Sequence, residues 1–243
     1  MARVGAYLLG RMAGKQFRKA KWMWASATGS EDEAIRAEQA VGREMAATVR
    51  EDARGPVDPA VQAALDDVAA PLAAHVRNRA YRFEVAALAA DEPNAFALPG
   101  GYIFVAPALL QLAGGGRDEL AFIVAHEMAH VIRRHAIDRI LSQRALQAVT
   151  LASPAARSIA PWVRTVGVRW LEKAYSRDQE YEADELGGRL MRAAGFDPAG
   201  AIRMLELLRD LERDPSRGLG GWLSTHPPTT DRIHRLREQL DIR

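Results

Sequence analysis

Two histidines and a glutamate stand together in the run His126-Glu127-Met128-Ala129-His130. The surrounding segment, 118–135, has helix character, with Leu120, Ile123, Val124, Val131 and Ile132 forming an apolar face. Residues four apart share one side of a helix, so both imidazoles can grip a single cation. Glu127 is turned about 100° away from His126, where it reaches a water held by the cation instead of the cation itself. Zinc lowers the pKa of such a water to about 7, and a neighbouring carboxylate can take its proton as it attacks a carbonyl. The chemistry expected of this run is metal-assisted hydrolysis.

A grip of two histidines needs a third ligand. A histidine six residues after His130, with glycine at 133, is one known solution, but Arg133 and Ala136 stand at those positions. His135 is one residue out of step and, on a continuous helix, points round the other side; a structural role is expected for it. The remaining route is a carboxylate on a second helix. Ser176-Arg177-Asp178-Gln179 has the form of a capping box that starts such a helix. Just inside it, Glu180 and Asp184 are four apart and share a face. Glu180 can ligate zinc, while Asp184 accepts a hydrogen bond from the distal nitrogen of His126 and fixes its tautomer. Acidic residues in a first turn can also merely compensate the helix dipole. Against that, Ala183, Gly187 and Gly188 suit a helix that must approach the His126 helix closely.

These runs resemble the M48 metallopeptidases, the Ste24/HtpX/Oma1-like group. The likeness rests on four stretches in order: Asn94-Ala95-Phe96-Ala97-Leu98-Pro99-Gly100-Gly101, the 126–130 run with Arg134-His135, Glu180-Tyr181-Glu182-Ala183-Asp184, and Ser224-Thr225-His226-Pro227-Pro228 followed by Asp231-Arg232-Ile233. It covers about 58–241. The resemblance implies a gluzincin-type α+β fold, one catalytic Zn2+ per chain and endopeptidase activity, with His126, His130 and Glu180 as ligands and Glu127 as base. The best-known members have membrane-spanning helices, whereas here a soluble or peripheral member is implied. Beside the zinc, Ala95, Phe96 and Ala97 form a short edge strand to which an extended substrate can add. Asn94 either holds the substrate backbone or only begins a turn. His226 lies in a proline-rigid loop, where it can donate to a developing oxyanion or take the fourth zinc position and keep the enzyme latent; a solvated loop histidine is the plain alternative. Arg232 is a weaker candidate for the same oxyanion. His75 and His234 are read as ordinary histidines.

The elements that must position these groups follow from patterning. The chain of 243 residues can bury a real core, and its 48% hydrophobic and 26% charged residues are ordinary for a globular protein. It has no cysteine, which excludes disulfides and thiolate metal sites and suits a reducing compartment. A net charge of +2 excludes a general polyanion binder, so no nucleic-acid partner is expected and the partner is a protein or peptide substrate. The uncharged-looking stretch 93–116 is broken by three prolines and five glycines and reads as strands, a turn and a short helix. Strands are expected at 81–88, 95–98 and 102–105. Helices are expected at 31–50, 61–77, 106–113, 117–136, 139–152, 158–174, 177–194, 198–212 and 229–241. The sum is a mostly helical α+β domain with a small antiparallel sheet over 58–243, preceded by a helical extension over 1–57.

The extension starts with Arg3, Arg11, Lys15, Arg18, Lys19 and Lys21 among Tyr7, Phe17, Trp22 and Trp24, with no acidic residue before Glu31. Such a segment either packs its aromatics on the main domain or rests peripherally on an anionic membrane through 1–30. A cytoplasmic location is the default. Two other uses of the chain stay open: a zinc-binding but catalytically silent chaperone or adaptor, against which Glu127 counts, and a membrane-surface or nucleic-acid-associated module using the basic start of the chain.

Overall fold

A computed structural model describes residues 30–53, 55–90, 93–138, 175–213, 226 and 229–242. The expected helices at 139–152 and 158–174, the basic start of the chain and most of the 224–228 motif lie outside these residues. Described in chain order are α1 (Glu31–Asp52), α2 (Pro59–Ala74), β1 (Glu84–Ala87), β2 (Ala95–Leu98), β3 (Tyr102–Val105), α3 (Pro107–Leu112), α4 (Arg117–Ile132), α5 (Arg177–Ala193), α6 (Ala199–Glu212) and α7 (Thr229–Leu240). The fold is α+β and mostly helical. No helix among the described residues is long and apolar enough to cross a membrane.

The helix starts follow from capping chemistry. Ser30 and Glu33 form a capping box at α1, Asp58 accepts from the Ala60 amide ahead of Pro59 at α2, and Ser176 with Gln179 caps α5. The sheet has the order β1-β3-β2. β2 and β3 are an antiparallel hairpin turned by Gly100 and Gly101, both at positive φ. β1, however, pairs parallel with β3, so the sheet is mixed and not the antiparallel one expected. The reason lies in burial: β3 (Tyr-Ile-Phe-Val) is buried at every position and takes the centre, which leaves β2 as the edge and brings β1 to the other side of β3.

α4 is the spine of the domain. Every residue from Glu119 to Val131 is buried, with α2 and β2 on one side and α5 and α6 on the other. Its Leu120, Phe122, Ile123 and Met128 join Leu65 and Leu72 of α2, Ile103 of β3, Met191 of α5, Leu205 and Leu208 of α6 and Leu236 of α7 in one core. A helix buried all round has no wet face to hold polar groups. His126, Glu127 and His130 therefore sit in the driest part of the molecule, where polar atoms need partners.

α4 stops earlier than the pattern implied. It ends at Ile132; Arg133 caps it, Arg134 takes a left-handed conformation (φ 59°), and a helical turn resumes at 135–138 in a new direction. The expected helix over 117–136 is thus two pieces joined at Arg134.

Candidate metal centre

Four ligand-type side chains from three parts of the chain converge behind α4: His126, His130, Glu180 and His226, whose donor atoms all lie within 4.8 Å of one another. α5 comes close enough because of Gly187, where an added Cβ would stand only 3.1 Å from the His126 amide nitrogen and 3.2 Å from the Ala125 carbonyl carbon. The sequence-predicted ligands His126, His130 and Glu180 are thereby brought together, with Glu127 and His226 beside them.

The direction of each imidazole is set by what its outer nitrogen touches. Nδ1 of His126 lies 2.9 Å from Oδ1 of Asp184, as expected for a carboxylate that fixes the tautomer. Nδ1 of His130 lies 2.9 Å from Nδ1 of His135. With both Nδ1 atoms donating outward, both Nε2 atoms present lone pairs inward. Those two lone pairs face each other at 3.1 Å. The carboxylate oxygens of Glu180 lie 3.4 Å from His130 Nε2 and 3.6 Å from His126 Nε2. Ligands held about 2.1 Å from a tetrahedral zinc stand roughly 3.4 Å apart, so the spacing fits one such ion. Burial pushes the His130 pKa well below the usual histidine value, which keeps the ring neutral and able to ligate.

The carboxylates differ from one another. Burial would raise Glu180, but the pull of His226 and Arg232 holds it well below the usual range. Asp184 is likewise lowered; burial is outweighed there by Arg232 and His126. Glu127 goes the other way. Burial raises its pKa against the weaker pull of His226 and His126, and neither of its oxygens has a hydrogen-bond partner. His226 Nδ1 lies 2.9 and 3.0 Å from the two Glu180 oxygens, and its Nε2 is 3.5 Å from Glu127. It lies between the Glu180 carboxylate and Glu127.

The setting of Arg232 differs from the substrate-facing one expected. Only 2% exposed, it forks onto Asp184 with Nε and Nη2 both at 2.7 Å and reaches Glu180 with Nη1 at 2.9 Å. Its place is behind the carboxylates. Asn94, Ala95, Phe96 and Ala97 lie at the edge strand, with the Asn94 side-chain oxygen buried and unpaired and β2 packed on α4. Two contacts escaped the sequence reading. Tyr175 stacks on His130 with ring centroids 3.9 Å apart, and His135 turns back onto the same ring instead of away from it. No local pattern announces the first; the second depends on the break at Arg134. His75 and His234 lie away from the centre: His75 bonds Pro71 in its own helix turn and His234 is near Glu238.

Comparison with known proteins gives the same region a lineage. Residues 58–240 match the model of peptidase family M48. The mitochondrial metalloendopeptidase OMA1 of Schizosaccharomyces pombe is 33% identical over 160 residues, 65% of this chain and 47% of that protein. OMA1 of Saccharomyces cerevisiae is 30% identical over 61% of this chain and 44% of its own length. The beta-barrel assembly-enhancing protease of Escherichia coli is 28% identical over 195 residues, 76% of this chain and 40% of that protein. The chain thus spans less than half the length of these curated relatives. With the family model covering most of its length and the buried His-His-Glu set lying inside the match, this chain belongs to peptidase family M48.

Proposed function

We propose that the protein is a zinc-dependent endopeptidase acting on extended or unfolded protein segments. The observation that carries this is the pair of Nε2 atoms 3.1 Å apart, with the Glu180 carboxylate beside them and each outer nitrogen already engaged. With both Nδ1 atoms donating outward, each Nε2 turns a lone pair toward the same point, which suits a shared cation. His126, His130 and Glu180 would hold a zinc ion, which would supply Lewis acidity toward the scissile carbonyl and the attacking water. Glu127, its pKa raised by burial, takes a proton from that water at a carboxylate oxygen and returns it to the leaving amine. Asp184 and Arg232 hold His126 and Glu180 in place. The edge of β2 offers backbone groups to a substrate strand, and the buried, unpartnered side-chain oxygen of Asn94 supports a role in holding that strand.

Purified protein and its Glu127→Gln variant test this directly, with zinc content and casein cleavage measured on both. Equal zinc near one per chain with cleavage only in the parent is the expected result. Absence of bound zinc in both removes the metal reading.

A second reading concerns the resting state. His226 Nδ1 belongs to the same donor cluster, so His226 can serve as a fourth ligand and keep the protein latent until its loop moves. Equal zinc without cleavage in the isolated parent, relieved in His226→Ala, is what latency requires.

A further inference from the structure

The outer nitrogen of His130 is held by a residue that its place in the sequence pattern sets on the wrong side of the helix. Three observations explain how. First, α4 ends at Ile132, and Arg134 takes φ 59°, a conformation that costs a residue with a Cβ and is normally left to glycine. Second, the Arg134 side chain is anchored across the fold: its Nε lies 2.8 Å and its Nη2 2.6 Å from Oε1 of Glu38, which is itself 1% exposed in α1. Third, the reversal at Arg134 carries His135 back over His130, with Nδ1 to Nδ1 at 2.9 Å and the rings edge-on at 71°.

We propose that His135 is a positioning residue for the metal ligand His130, and that α1, through Glu38 and Arg134, holds it there. The proposal rests on the zinc reading of the centre. Its proton logic is forced. For His130 to present an Nε2 lone pair inward, its Nδ1 carries the proton and donates to His135 Nδ1. His135 then carries its own proton on Nε2, which faces Glu182 Oε2 at 3.5 Å at the surface. His130 has in His135 what His126 has in Asp184. α1 lies outside residues 58–240, the part that matches the family model; a helix appended to the catalytic domain is thereby tied to the geometry of its metal ligand. The tie is rigid, because α1 also sits so close to the hairpin that a Cβ on Gly42 would overlap the Pro99 carbonyl oxygen.

Zinc dissociation constants measured by chelator competition on the full chain test the first half, with thermal melts of each metal-stripped variant run alongside. His135→Leu removes the acceptor at similar size, and zinc binding is expected to weaken about 10- to 100-fold. His135→Asn places an amide oxygen where Nδ1 stands, and is expected to recover most of that loss. Affinity unchanged in the leucine variant, or equal weakening in both, overturns the role of His135. Should the leucine variant fail to fold, nitrogen-15 spectra of the metal-stripped parent decide: His130 protonated at Nδ1 supports the proposal and protonation at Nε2 overturns it. For α1, Glu38→Gln is expected to weaken zinc binding, and adding Arg134→Gly to restore it, since glycine holds the turn without an anchor. No recovery in the double variant overturns the part played by α1. A parent that binds no zinc removes the metal reading itself, and with it this proposal.

Discussion

Arg232→Met is the substitution on which an internal clamp and a substrate-facing arginine differ most. The guanidinium makes three contacts of 2.7, 2.7 and 2.9 Å to two carboxylates, Asp184 and Glu180, whose side chains are 2% exposed or less. Burial alone would lower the arginine pKa, but Asp184 and Glu180 more than reverse it, so the group stays charged. Methionine fills much of the same volume and takes the guanidinium from both buried carboxylates, leaving them their histidine contacts alone. Removing one partner of a buried ion pair costs about 3–5 kcal/mol, a large part of the roughly 5–15 kcal/mol by which a domain is stable. Denaturant unfolding of the metal-stripped protein should show that loss as a lower midpoint with unchanged slope. Arg232→Lys keeps the charge but not the fork and should fall between methionine and the parent. An arginine that donates to an oxyanion would behave differently, with stability nearly unchanged and kcat reduced. A loss below about 1 kcal/mol in Arg232→Met would refute the clamp, since that is the scale of an exposed pair.

Three further outcomes follow from the same geometry. Glu127→Gln should stabilise the metal-stripped protein at neutral pH: the folded pKa is raised above 4.5, so ionisation weakens the fold as pH rises through that value, and the gain over the parent in melting temperature should vanish in acid. Gly187→Val puts two extra methyl carbons beyond a Cβ already 3.1 Å from the His126 backbone; stability should fall by about 1–3 kcal/mol, and zinc affinity should drop with it in a chelator titration. His226→Ala removes a donor from the cluster and should raise casein cleavage by the isolated protein; a fall would assign His226 to the oxyanion instead.

The parts of this centre that could be read from the sequence are those set by local spacing. His126 and His130 are four apart on one helix, and Glu180 and Asp184 are four apart on another whose capping box is written in Ser176 and Gln179. The hairpin turn is written in Pro99-Gly100-Gly101. What escaped is fixed by partners distant in sequence. Arg134 looks like any helix-favouring residue; neither its left-handed conformation nor its contact with Glu38, far up the chain, leaves a local mark in the sequence. With the helix assumed continuous, His135 could only be placed on the wrong side. Arg232 is read from the sequence only as a candidate for the oxyanion, because its partner Asp184 lies on another helix. The pairing of β1 with β3 is a matter of which strand is most buried, a property of the packed sheet and not of the strand β1.

The charges inside the centre tie these residues into one argument. Three buried carboxylates, Glu127, Glu180 and Asp184, stand with a single buried guanidinium, Arg232, and His130 is kept neutral by burial. Fully ionised, that set carries two negative charges in excess. In a dry interior such an excess is costly, and it equals the charge of one divalent cation. Arg232 cannot supply the balance alone, since its contacts are spent on Asp184 and Glu180. The shortfall falls on Glu127, the one carboxylate of the three whose pKa is raised and whose oxygens are unpartnered. A raised carboxylate pKa suits the general-base role proposed for Glu127. The clamp and the raised pKa of Glu127 therefore belong to one arrangement: burial acts on all three carboxylates, and it is outweighed at Glu180 and Asp184, where Arg232 makes its contacts, but not at Glu127.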